Sequence, residues 1–198
     1  MLSGANIVDE RVPPYAVRVG GTLLPKPLSG HPALELCNTF AGWHETDEHH
    51  HEWLDSPDDL ATWAEFAGLA EKPRVDDTVL AEIRELREVA YRLLHRRDET
   101  AFPALAAKAD EANALRRLTP ADGFRLPPSD DPRHVVHAAA LAVAGLLAAP
   151  ERETIKACPG EGCGWLFFDP RGRRTWCTMA VCGNRAKVRA YAIRNREA

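Results

Sequence analysis

No stretch of this chain is long and apolar enough to cross a bilayer. The longest apolar run, Ala138 to Ala149, falls short of the roughly 20 residues a spanning helix needs, so no membrane partner is expected. Also missing is a basic start followed by an apolar run and a small-residue cleavage site, which points to a protein that is not exported. There is no Ser-His-Asp order, no phosphate-cradling glycine loop and no dinucleotide fingerprint. Those absences remove the usual sequence grounds for an enzyme, and none is expected. There is no internal repeat either. At 27% the charged fraction is ordinary, which excludes wholesale disorder. With 198 residues and 45% apolar content, the chain can build one globular domain and a small appendage.

Cysteine is scarce but concentrated. There are five, and four of them fall in the last 41 residues. An odd count gathered at one end does not suit a secreted disulfide scaffold and fits a reducing, cytoplasmic compartment. The fifth, Cys37, reads as a buried small hydrophobe. Charge is uneven too. The net charge is −4, yet the segment from Lys156 onward holds nine Lys/Arg against three Asp/Glu, or +6, leaving −10 for the remainder. A basic tail on an acidic body calls for an anionic partner.

The body reads as mostly helical with a small strand pair at its start. Met1 to Pro14 has no clear period. Tyr15 to Val19 alternates and ends at Gly20-Gly21, which predicts a strand and a turn. Leu34 to Cys37 is expected to be a second short strand. Ser56-Pro57-Asp58-Asp59 starts a helix that Gly68 ends. The spacing of Val79, Ile83, Leu86, Ala90 and Leu93 predicts a second helix from Asp76 to about Arg97. Phe102 to Leu115 and Val135 to Leu146 supply two more, separated by a loop over Leu118 to Pro132. The tail begins after Pro150. Trp165 to Phe168 reads as a strand, Asp169 to Gly172 as a turn, Arg173 to Trp176 as the returning strand, and a helix follows to about Arg196. The expected class is α+β, with a domain over 1–150 and a metal-bound hairpin and helix over 151–198.

Cys158, Cys163, Cys177 and Cys182 are spaced C-x4-C-x13-C-x4-C. Two close pairs across a longer gap are how a short chain presents four thiolates to a tetrahedral ion, and soft thiolates favour zinc. Two disulfides or an iron–sulfur cluster are the alternatives. The spacing matches neither ferredoxin pattern. Four thiolates close the coordination shell, so the ion expected is one structural Zn2+, not a catalytic one.

Projected at about 100° per residue, the terminal helix places Ala186, Ala190 and Ile193 together. That face is expected to pack on the hairpin, against Phe167 or Trp176. Arg185, Arg189 and Arg196 form one flank, and Lys187 and Arg194 the other. Asn184, Val188, Tyr191 and Asn195 lie between them. Basic flanks around a polar face suit phosphates on both sides of a groove, and Arg171, Arg173 and Arg174 extend the surface. DNA is the expected partner. A solvated basic face, or a dimerisation module without nucleic acid, is the alternative, and a homodimer remains open.

Two weaker candidates lie in the body. Asn38, Thr39 and Trp43 occupy a strand-to-loop junction, where Arg84, Arg87 and Arg92 could meet an anionic small-molecule effector. The His44 to His51 segment is rich in imidazole and carboxylate and is a second metal candidate.

The run Cys182-Gly183-Asn184-Arg185, with Arg174-Thr175-Trp176-Cys177 and Phe167-Phe168-Asp169, resembles the bacterial CGNR zinc-finger family over about Ala157 to Arg194. The body is similar to the ABATE domain that usually precedes this finger, through Leu34 to Thr39, the Trp63 helix and the arginine-rich helix after it. The family's Asp-Phe-Val-Asn-Thr-like string is here Glu35-Leu36-Cys37-Asn38-Thr39, and an unusual insert, Leu23 to His31, precedes it. The resemblance implies a stress-response transcription regulator, with DNA binding through the finger and signal sensing by the body.

Overall fold

A computed structural model of the chain describes residues 12–44, 48, 50–121 and 123–196. Most of the unpatterned Met1–Pro14 segment lies outside them. The architecture is α+β. Strand β1 (Ala16–Val19) pairs antiparallel with β2 (Thr22–Pro25) around Gly20-Gly21, with Val19 opposite Thr22. The partner strand therefore comes from the insert, not from Leu34–Cys37.

Leu34–Cys37 belongs instead to a short helix, α1 (Pro32–Cys37). His31 caps it by accepting from the Ala33 N–H, and Pro32 fits the first turn. Ala33, Leu34, Leu36 and Cys37 are all buried, two adjacent pairs that an alternating strand would split between its faces. Glu35 points away, and its carboxylate accepts from the N–H groups of Leu28, Ser29 and Gly30. Burial pushes the Cys37 thiol up to about 12, so it behaves as the small hydrophobe the sequence suggested.

Strands β3 (Phe40–Ala41) and β4 (His51–Glu52) make a second small pair. Helix α2 (Pro57–Phe66) carries a full capping box between Ser56 and Asp59. Helix α3 (Asp77–Tyr91), capped by Asp76, buries Val79, Leu80, Ile83, Leu86, Ala90 and Tyr91. It runs on through a wide turn at Arg92–Arg96. Helices α4 (Phe102–Leu115) and α5 (His134–Ala148) complete the body. The core lies where α1, α3, α4 and α5 meet. The connection read as a loop holds an exposed hairpin, β5 (Arg117–Thr119) with β6 (Gly123–Arg125).

The tail departs from expectation in two ways. Strand β8 (Leu166–Phe168) pairs with β7 (Ile155–Ala157), upstream of the first cysteine, and not with Arg173–Trp176. The hairpin thus encloses the first cysteine pair. Asp169 prevents the other pairing: its carboxylate accepts from the Arg173 N–H and turns the chain away. Second, α6 (Asn184–Arg194) has no buried residue, so Ala186, Ala190 and Ile193 do not pack on the hairpin.

Candidate metal centre and basic helix

The two cysteine pairs converge from different local structures. Cys158 follows β7, and Cys163 follows a tight loop in which a side chain at Gly160 would press on Cys182 and Cys158 Sγ at 3.1 and 3.4 Å. Cys177 precedes a wide turn, Met179–Gly183, that presents Cys182. All four thiols are buried and their sulfur atoms lie within 4.8 Å of one another. Cys163 and Cys177 Sγ are 3.7 Å apart, Cys177 and Cys182 Sγ 3.5 Å. A tetrahedron with Zn–S bonds of about 2.3 Å has edges of about 3.8 Å. The donor set fits zinc by chemistry and by size, and holds one structural zinc ion. Four thiolates and the ion carry a net charge of −2, and the closed shell leaves no position for a reacting water.

The charge has a specific neighbour. Arg185 donates to Cys182 Sγ at 3.2 Å. Without the ion, hydrogen bonds from the other three thiols, with Arg185 adding to them, favour the Cys182 thiolate. Arg174 is used differently: its guanidinium lies 4.3 Å from the Phe167 ring centroid and donates to the Phe168 and Cys177 carbonyls. Lys156 pairs with the nearly buried Asp169 at 2.6 Å, and that contact holds the Asp169 carboxyl below the usual carboxylate range. The sequence showed Asp169 only as a turn residue.

The finger is welded to the body. The cysteines share a cluster with Ala16, Ala41, Trp53, Trp165 and Phe167, while Ile155 and Leu166 of its hairpin sit in the main core. Hydrogen bonds add to this: the Gly42 backbone N–H to the Cys163 carbonyl at 2.9 Å, and the Trp165 indole Nε1–H to the Phe40 carbonyl at 2.9 Å. Tyr91 donates from its hydroxyl to the Gly164 carbonyl at 3.0 Å. Neither Tyr91 nor Gly164 stood out in the sequence, because their meaning depends on a contact across 73 positions.

Asn38 and Trp43 take part in this weld, while Thr39, Arg84, Arg87 and Arg92 bond within the body. Asn38 is fully buried and bonds the Leu166 backbone. Thr39 donates to the Leu36 carbonyl and accepts from Arg87. Trp43 stacks on Tyr91, centroids 4.0 Å apart, and donates to the Cys37 carbonyl. Arg87 is buried against Glu52, and Arg84 reaches the Leu54 carbonyl. Trp43, Arg84 and Arg87 still line an open recess of about 370 Å³, but Asn38 and Thr39 are not among its walls. Arg92 pairs with Asp98 instead.

In the histidine segment, His44 Nε2 lies 2.9 Å from the Cys158 carbonyl and His50 Nδ1 2.8 Å from the Gly42 carbonyl. Residues 45–47 and 49 lie outside the described ones. Among the described residues the four cysteines form the one cluster with metal-ligand geometry.

Of the basic residues, Arg171, Arg173, Lys187, Arg194 and Arg196 are exposed. Arg189 pairs with Glu161, Asn184 donates to the Ala180 carbonyl, and Tyr191 is 62% exposed.

The fold and centre define a zinc-finger protein whose finger is packed against a helical body. The chain belongs to the ABATE family, described as "Putative stress-induced transcription regulator", which matches residues 30–150. Residues 154–195 match the CGNR zinc finger. No curated protein matches the chain.

Proposed function

We propose that the protein is a transcription regulator that binds DNA through α6 and the adjoining arginines, with zinc as a structural clamp and no catalytic step. The observation that supports this is the unburied helix. Most helices of this length are held by packing one face on a core. This one carries Arg185, Lys187, Arg189 and Arg194 and buries nothing. Its 11 residues span about 16 Å, a length that suits a major groove about 12 Å wide. The zinc turn fixes its first residue, so its direction is set by the metal centre. Arg171 and Arg173 on the neighbouring loop add phosphate contacts.

The test is fluorescence anisotropy of a labelled duplex with the zinc-loaded full chain across salt concentrations, paired with selection from random DNA. Log affinity should fall linearly with log salt. Lys187→Ala and Arg194→Ala should each reduce that slope by about 1. An absent or salt-independent interaction overturns the reading.

A second reading rests on Val188 and Ile193, which are 67% and 57% exposed on the same helix. A helix with such residues can pair with a second copy. A sedimentation mass of one chain at micromolar concentration would remove it.

A further inference from the structure

Beside the metal centre lies a pocket of about 160 Å³ that joins the body to the finger. Its aromatic walls come from both parts: Tyr15, His51 and Trp53 from the body, Trp165 from the finger. Trp53 organises them. His51 stands edge-on to it at 4.5 Å and 87°, and Tyr15 at 6.1 Å and 78°. Cys163, Cys177 and Cys182 line it and Cys158 does not, so the pocket abuts one face of the four-sulfur cluster. Arg185, in the first turn of α6, closes the rim.

We infer that this pocket is a binding site for a small uncharged aromatic molecule carrying a hydrogen-bond acceptor oxygen. Size comes first: an apolar cavity of about 150 Å³ holds one benzene ring. The walls then favour a flat ring, because aromatic side chains set at right angles offer both a face and an edge for stacking. Charge selects further. A centre of net −2 lies on one side and one guanidinium at the rim, so an anion meets thiolates and a cation meets Arg185. An uncharged ring avoids both penalties. The acceptor has a candidate donor in Arg185, which has N–H groups beyond the one bonded to Cys182.

Occupancy would tie the body strands to the turn that presents Cys182 and to the first turn of α6. The consequence is slower release of zinc. This binding does not depend on the nucleic-acid reading, and its test contains no DNA.

The test uses isothermal titration calorimetry on the zinc-loaded full chain with three probes of one size: benzamide, benzoate and benzylamine. Benzamide should saturate one site per chain and bind at least about tenfold tighter than either charged probe. Tyr15→Ala, at a position 39% exposed, should weaken it about tenfold, and Val181→Phe should fill the pocket and abolish it. Phe124→Ala, on the distant exposed hairpin, should leave it unchanged. Zinc loss to a chromophoric chelator should slow several-fold in saturating benzamide. The inference is overturned by any of three results: no saturable heat at millimolar benzamide, equal binding of the three probes, or retained binding in folded, zinc-loaded Val181→Phe.

Discussion

Asn38 and Leu166, 128 positions apart, exchange two hydrogen bonds. The Asn38 amide donates to the Leu166 carbonyl at 3.0 Å, and its side-chain oxygen accepts from the Leu166 N–H at 2.7 Å. Both residues are fully buried. One side chain thereby mimics a strand neighbour for β8 and fastens the finger to the first helix of the body. An aspartate could not do the same, since it has no N–H to donate.

Asn38→Ala should therefore leave two buried backbone groups without partners. At about 1–3 kcal/mol per orphaned group, the loss is a large share of a typical domain's stability. Urea unfolding of the zinc-loaded protein checks it: the midpoint should fall clearly, while an unchanged midpoint would show that the bond pair contributes nothing.

Zinc removal should reach beyond the finger. Metal binding contributes roughly 10 kcal/mol or more to such modules, comparable with the 5–15 kcal/mol net stability of a whole domain. Since Ile155 and Leu166 are part of the main core, Cys177→Ser or chelation should lower the melting temperature of the body as well. Metal analysis of the intact protein should return one zinc per chain. A body transition that is indifferent to chelator would contradict the shared core.

Gly164 sits at φ +75, and a Cβ there would lie 2.5 Å from Trp43 Cβ. The backbone conformation and the contact both exclude a side chain. Gly164→Ala should destabilise by about 1–3 kcal/mol through overpacking alone, with the strained φ adding to it. Thermal unfolding would show this, together with loss of the Trp43–Tyr91 stack from near-ultraviolet circular dichroism.

The Arg87–Glu52 pair sets a pH dependence. Burial alone would raise the Glu52 carboxyl, but the hydrogen bonds and charge of Arg87 outweigh it and hold it below the usual range. A carboxyl lowered in the folded state adds stability above its unfolded value, about 4.3. That stability disappears as pH falls toward the folded value. Glu52→Gln should cost about 3–5 kcal/mol at pH 7, because Arg87 stays buried without its counter-charge. It should also flatten the stability curve below pH 5. Denaturant midpoints at pH 7 and pH 4 for both proteins measure the effect. A parallel decline in the two would refute the assignment.

Much of this protein was legible without coordinates. The four cysteines declare their chemistry by spacing, since metal ligation in a short segment depends on chain reach and thiolate preference. Helices α2 and α3 follow from caps and apolar period, and α4 and α5 from apolar period, signals that act within one or two turns. Tertiary structure decided the rest. Leu34–Cys37 has a strand-like composition, yet becomes α1 because the core covers it on more than one side. Strand β8 selected Ile155–Ala157 because Asp169 turns the chain aside. Asn38 reads in sequence as part of an effector site, and the fold shows that it also fastens the finger through Leu166. The Asn38 contact depends on a partner 128 positions away, and local pattern carries no signal at that range. The sequence determined that the tail would bind zinc and be basic. Only the fold decided that the zinc would brace finger against body and leave α6 without a buried face.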